Sequence, residues 1–442
     1  MRIAFVAMSG VRVRDAELMA RGLTLPGFVE RSQVIASLPS LGLLTLAGMT
    51  PEHHEMVYLE APDQAAADAI STDFDLMAIS SFSAQIDEGY ALADRVRASG
   101  CTVVMGGPHV SVCTDEAAAH CDAVIIGEGE MSWPQVLADA ERGAVQPRYG
   151  QLGTSFDLRQ APMPRHSLLD PERYNRLTVQ TSRGCPHRCE FCAATPLMSP
   201  GYRQKPMDLV LAEIDAIQNL WSHPFLEFAD DNSCVDRRYW KNLCRAMIPR
   251  RLRWFTEADL SVAEDEELLA LMAESGCAQI LIGLESPEAG ALGGIELRGD
   301  WKRRRHDRYL AAIERVQSYG ISVNGCFILG LDGHTPAIFD QVYHFVQDSD
   351  LTEVQVTLMT AFPGTPLYRR LYDSDRLLDA TAWDRCTLFD INYQPSHMSV
   401  AELRSGFHEL VSRLYSPEAS AARKTRFRAL RRSRRRSARL AS

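Results

Sequence analysis

Long apolar runs are missing from this 442-residue chain. Nothing approaches the ~18 consecutive apolar residues that a membrane-crossing helix needs, so no span is expected. The opening MRIAFVAMSG has one basic residue and a short β-like run, not the blocks of a secretion signal. A disulfide framework is lacking too: the eleven cysteines are odd in number and scattered. A reducing cytoplasm is therefore expected, with thiols used for metal or catalysis. Lysine is scarce, 4 against 43 arginines, which points to a GC-rich genome rather than to a substrate. No G-x-G-x-x-G follows the first strand, which argues against a dinucleotide site of the usual kind.

What is present reads as a soluble globular chain, 46% hydrophobic and 24% charged, long enough for two or three domains. The formal net charge is −10, yet residues 423–439 (RKTRFRALRRSRRRSAR) hold ten basic and no acidic residues. This end, 419–442, is expected to be a solvated, disordered tail. An arm for an anionic partner is the sharper reading. With one aromatic, Phe427, it offers no base-stacking surface, so nucleic acid is not the expected partner.

In the first 150 residues, strand-like RIAFVAM (2–8), EMVYLE (55–60), FDLMAIS (74–80), CTVVMGG (101–107) and DAVIIGEGE (122–130) alternate with helical patterns at 38–50, 83–100, 111–120 and 132–143. Such alternation implies an α/β domain with a buried parallel sheet. Ligands of these sheets sit beyond the C-terminal strand ends. Three loops lie there: SSFS with Ser81 and Ser83, GGPH with Gly106, Gly107 and His109, and GEGE with Gly127, Glu128 and Gly129. Residues 9–37 make a long loop that either covers a ligand or is a surface excursion.

The segment TSRGCPHRCEFC (181–192) places Cys185, Cys189 and Cys192 in Cys-x3-Cys-x2-Cys spacing. A structural zinc site would want a fourth ligand; no second Cys-x2-Cys follows, and His187 has the wrong spacing for paired-ligand fingers. Three thiolates on a four-iron cluster leave one iron open, able to chelate an amine and a carboxylate. Downstream, strand patterns at 176–182, 225–233, 252–260, 278–286, 321–331 and 353–367 alternate with helical ones at 209–220, 237–248, 264–276, 308–320 and 337–348. Six β/α repeats make an incomplete TIM-type barrel with its site at the C-terminal strand ends. Asp230, Asp231, Asn232, Glu257, Glu285 and Ser286 gather there, where a cationic ligand wants carboxylates. The basic RGDWKRRRHDR (298–308) reads by default as a solvated helix start, or else as a surface for an acidic substrate or reductase. Cys326 is the other cysteine placed to face the lumen.

The cysteine motif, FADDN (228–232), IGLES (282–286), FPGTPLY (362–368) and GGPHVSV followed by VIIGEGE resemble the cobalamin-dependent radical S-adenosylmethionine enzyme family over roughly residues 1–400. The resemblance implies a flavodoxin-like (Rossmann-like) cobalamin-binding domain over 1–150, a linker over 151–175, a partial (β/α)6 radical SAM barrel over 176–376 and a small helical appendage over 377–418. It implies a [4Fe-4S] cluster on the three cysteines, with Phe191 against the adenine of S-adenosylmethionine. Asp230, Asp231 and Asn232 would hold the methionine amino group, Glu285 and Ser286 the ribose or carboxylate, with Glu257 nearby. The three N-terminal loops would hold cobalamin. The lower-ligand motif Asp-x-His-x-x-Gly is missing, and DGHTPA (332–337) is a decoy lacking the final glycine. Activity is expected to be methyl transfer to an unactivated carbon of a small molecule through a deoxyadenosyl radical. An electron donor such as flavodoxin or ferredoxin would serve it. Cyclisation or rearrangement without methylation, and RNA or protein modification, stay open.

Overall fold

The computed structural model describes residues 1–9, 13–21, 38–170, 173–174, 176–193 and 201–441. Most of the long loop expected at 9–37 lies outside them. Among the described residues, no helix is long and apolar enough to cross a membrane.

The first sheet contains β1 (Arg2–Met8), β2 (Glu55–Ala61), β3 (Leu76–Ser80), β4 (Thr102–Gly106), β5 (Ala123–Ile126) and β6 (Arg148–Gly150), in the order β2-β1-β3-β4-β5-β6. All pairs are parallel, and Ile3 sits opposite Met56 on one side and Leu76 on the other. Residues 3–8 of β1 are buried on both faces, as the unbroken apolar run requires when helices cover the sheet on each side. The order reverses between β1 and β3, which is the flavodoxin-like switch point. Five of these strands are legible in the sequence. β6 is not: three residues with two exposed leave no periodic signal.

The second sheet begins with β7 (Leu177–Val179). A two-stranded antiparallel pair, β8 (Ser182–Arg183) and β9 (Arg203–Gln204), brackets the cysteine segment. β10 (Phe225–Ser233), β11 (Arg253–Ala258), β12 (Cys277–Glu285), β13 (Ser322–Leu329) and β14 (Glu353–Leu358) complete a parallel sheet ordered β14-β13-β12-β11-β10-β7. The single strand expected at 176–182 breaks in two. The Asp230 carboxylate accepts from the Thr181 N–H at 2.7 Å and the Ser182 N–H at 3.0 Å, which turns the chain out of the sheet.

Between sheet and helices the core is aromatic. Phe228 meets the rings of Trp240 and Trp254 edge-on at 5.2 and 5.3 Å. The barrel helices start at side-chain caps: Asp236 accepts from the Tyr239 N–H and Asp265 from the Leu268 N–H, at 2.9 and 3.0 Å. A capping box, Ser399 with Glu402, opens the helix Val400–Leu414. That appendage covers the open edge of the barrel, where the Val356 N–H on β14 donates to the Tyr415 hydroxyl at 3.1 Å.

The basic end departs from the expected disorder. A helix runs Pro417–Ala441. After Pro417 it has no glycine or proline and is rich in alanine and arginine, both strong helix formers. Arg423 anchors it: the side chain is buried and Nη1 donates to the Leu414 carbonyl at 2.7 Å.

Candidate functional site

The cysteine loop is held from three sides. Gly184 takes φ +86°, and a Cβ there would stand 2.0 Å from the Gly201 carbonyl oxygen, so only glycine fits. Its N–H donates to Asp231 Oδ2 at 2.7 Å. Cys189 bridges antiparallel to Glu296, flanked by Glu190 N–H to Ile295 O (2.9 Å) and Leu297 N–H to Arg188 O (2.8 Å). Asn232 Nδ2 stands 3.7 Å from Cys185 Sγ and donates to Asp259 Oδ2 at 2.9 Å. Asp259 also meets His187 Nε2 at 3.1 Å. Burial alone would raise the Asp259 carboxyl, but His187, Asn232 and Ser261 outweigh it and hold it well below the usual range.

Burial pushes the thiols up, Cys185 to about 11 and Cys189 to about 12, so without metal both are protonated. Among the described residues, the group of three His, Cys, Asp or Glu ligand atoms all within 4.8 Å is His53, His54 and Glu141, not the three cysteines. The thiols are thus set wider than one tetrahedral zinc draws its ligands. His187 is committed to Asp259 and lies 4.5 Å from the Trp301 ring. Three widely set thiols without a fourth ligand suit a four-iron cluster with one open iron.

The acidic residues divide. Asp230 is buried and saturated: besides the two N–H groups it accepts from Thr181 Oγ1 at 2.5 Å and Ser233 Oγ at 3.0 Å. No lone pair is left for a ligand ammonium. Asp231, exposed on the alternate face of β10, keeps an oxygen free beyond its bond to Gly184. Asn232 serves Cys185 and Asp259. Glu257 opens into the lumen with its side chain accessible, but the enclosing wall desolvates it and Glu227 and Asp231 repel its charge, raising it to about 7. Cys326 sits close enough to Glu285 and Glu257 for their charges to reach it, so it faces the lumen. Ser286 is fully buried, with its hydroxyl 3.0 Å from His334 Nε2 and accepting from the Glu288 N–H, so it does not line the lumen. Phe191 is half-buried against the barrel core.

Glu285, at φ +63°, is paired with a residue the sequence reading assigned to a solvated helix start. Lys302 Nζ donates to Glu285 Oε1 at 2.5 Å and to the Gly283 carbonyl at 3.1 Å. Burial disfavours the ammonium, but Glu285 beside it holds it charged. One signal was available. In a chain that otherwise uses arginine, each lysine marks a place for a compact cation, and all four lie within 4 Å of a carboxylate.

At the first sheet, Gly107 (φ +105°) and Gly127 (φ +81°) close the ends of β4 and β5; a Cβ on Gly107 would lie 3.0 Å from Ser80 Oγ. Gly106 ends β4 against Ile125, Gly129 lies against Leu46, and Ser81 is buried with its hydroxyl on the Phe82 carbonyl. Two residues of this group face elsewhere. His109 is buried, Nδ1 at 2.9 Å from Ser83 Oγ and the ring edge-on to Trp383 at 5.2 Å, so it is closed off from a ligand above the sheet. Glu128 is turned to the barrel: it pairs with Arg203, stands 3.4 Å from Arg183 and accepts from the Phe156 N–H at 2.7 Å. Glu130 also pairs with Arg183. The loop beyond β5 is thereby fastened to the β8–β9 pair that carries the cysteine loop. The glycines leave the ends of β4 and β5 bare of side chains, which suits a long nucleotide tail.

A sequence model of the radical SAM superfamily matches residues 179–346, one of the B12 binding domain matches 33–137, and one of a domain of unknown function (DUF4070) matches 365–441. The chain is thus a radical SAM barrel behind a B12-binding domain. It is 27% identical over 399 residues to the bacteriochlorophyllide d C-12(1)-methyltransferase of Chlorobaculum tepidum, covering 87% of this chain and 84% of that one. It is 27% identical over 405 residues to the hopanoid C-2 methylase of Rhodopseudomonas palustris, covering 87% and 73%. The fold matches the radical S-adenosylmethionine methyltransferase TsrM of Kitasatospora setae with a TM-score of 0.69 at 15% identity, over 95% of this chain and 90% of that one. The chain belongs to the cobalamin-dependent radical S-adenosylmethionine enzymes. That TsrM structure has cobalamin and a [4Fe-4S] cluster bound.

Proposed function

We propose that this enzyme transfers a methyl group to carbon on a small organic substrate. One observation carries the reading: Glu128 and Glu130, just beyond β5, pair with Arg183 and Arg203 beside the cysteine loop. Those bonds hold the ligand end of the first sheet against the ligand end of the barrel, so two cofactors can serve one substrate. The relatives named above are methyltransferases and a methylase, which supports the same reading.

The bound cofactors supply the radical chemistry and the methyl group; the chain supplies placement. Cys185, Cys189 and Cys192 hold the cluster. Asp231 offers a carboxylate to the methionine ammonium, and Asn232 steadies Cys185. Phe191 gives the adenine an apolar face. Glu257 and Glu285 set the lumen's acidic side, with Lys302 paired to Glu285. Gly106, Gly107 and Gly127, with Ser81 and Ser83, leave room for the cobalamin tail. Residues 1–150 bind cobalamin, 176–376 form the radical SAM domain, and 377–418 contribute to substrate choice.

The test uses S-adenosylmethionine with a labelled methyl group and anaerobically reconstituted enzyme. S-adenosylhomocysteine is expected with cobalamin present and not without it. Deoxyadenosine as the sole product with cobalamin bound would contradict methyl transfer.

A further inference from the structure

The segment that braces Cys189 from outside also carries a cluster of exposed arginines. Leu297 is 53% exposed, far more than an apolar side chain needs to be. Around it stand Arg188, Arg298, Arg303 and Arg304, all exposed, and among the described residues none has a carboxylate within 4 Å. Neighbouring Arg305 and Arg308 are different, since both pair with Glu264. Two acids lie within the patch; neither forms an ion pair with these arginines, and together they leave it with a net of two positive charges. Glu296 is buried and accepts from the Arg188, Arg298 and Gly299 N–H groups at 3.1, 3.1 and 2.8 Å. Asp300 accepts from the Gly294 N–H at 2.8 Å. Four guanidinium groups without an ion pair, Arg298 donating only to the Pro186 carbonyl at 3.4 Å, against two carboxylates are a local inversion of sign on a chain of net charge −10.

The patch is rigid and thin. Glu296 pins residues 296–299 to the cysteine loop, and the Cys189–Glu296 bridge leaves one strand of backbone between the surface and the Cys189 backbone. Beside Leu297 is an open groove of about 820 Å3 lined by Arg298, Arg303 and Arg304. An apolar tip within a cationic ring has the anatomy of a transient docking site.

We propose that Leu297 and the surrounding arginines dock a small acidic electron-carrier protein, which delivers its electron to the cluster at Cys189. One electron leaves the reduced carrier and one enters the cluster; no atom or proton has to cross. The proposal rests on the radical SAM reading of the site and adds the surface through which the site is reduced.

The experiment compares the parent with Leu297→Asp/Arg303→Glu/Arg304→Glu, and with a control, Arg428→Glu/Arg432→Glu, on the C-terminal helix. Reconstituted enzyme is assayed for S-adenosylmethionine cleavage driven by dithionite, by a flavodoxin and by a ferredoxin. Carrier affinity is measured separately by calorimetry with the oxidised proteins. The triple variant is expected to keep the dithionite-driven rate and to lose about tenfold or more in KM and Kd for the carrier. The control should match the parent, and added salt should weaken the parent's binding. Unchanged carrier KM and Kd in the triple variant, or an equal loss in the control, would overturn the docking site. A parent that fails to cleave S-adenosylmethionine even with dithionite would instead contradict the radical SAM reading.

Discussion

Lys302 Nζ lies 2.5 Å from Glu285 Oε1, and the two side chains are 12% and 7% exposed. Read singly, Glu285 is a ligand-facing acid and Lys302 one of a run of surface cations. Paired, they are a fixed charge unit beside Cys189. Removing one partner leaves an uncompensated charge out of water. Lys302→Met is expected to destabilise the cofactor-free protein by about 3 kcal/mol, and Glu285→Gln/Lys302→Met to recover much of it. Thermal unfolding of the two variants checks this; equal losses in both would show that the pair is not coupled.

Asp230 and Asp231 are adjacent and do opposite work. Asp230 spends both oxygens on Thr181, Ser182 and Ser233. Asp230→Asn turns an acceptor into a donor among donors and is expected to cost about 2 kcal/mol of stability. Asp231→Asn should leave the melting temperature within about a degree and raise the KM for S-adenosylmethionine several-fold. The check is a melting curve and a substrate titration on each variant. The reverse assignment would restore Asp230 as the ligand-binding acid.

Much of this was legible in sequence, and the limits have a physical pattern. The six barrel strands and five of the first sheet lie where the sequence pattern places them, most of them on largely apolar runs, because a parallel strand covered on both faces is mostly apolar. The cysteine spacing is local and survives intact. What periodicity does not carry is the partner of a polar group. Glu128 lies in a glycine loop that reads as a ligand cradle, yet its partner Arg203 is 75 residues away. Asp230 looked free because its donors are 48 and 49 residues upstream. The terminal helix was missed for another reason: charge density argues for disorder while backbone propensity argues for helix.

Glu257 gives a pH signature. Its carboxyl keeps a proton to about pH 7 in the folded chain, against 4.5 ordinarily. Between those values the folded state binds more protons than the unfolded, so this group's contribution to stability falls as pH rises and its cost is complete above 7. Glu257→Gln removes the cost. The melting temperature of the variant should match the parent's below about pH 5 and exceed it near pH 8. A constant offset across that range would place the carboxyl at its ordinary value.

The central claim is that one chain holds a cluster on three cysteines and a cobalamin above it. Its most direct test is metal content after anaerobic reconstitution with iron, sulfide and cobalamin, for the parent and for Cys185→Ala, Cys189→Ala and Cys192→Ala. The account predicts about four irons and about one cobalt per chain in the parent, with iron lost and cobalt kept in each variant. Iron retained in all three variants, or a parent that takes up iron but no cobalt, would contradict it.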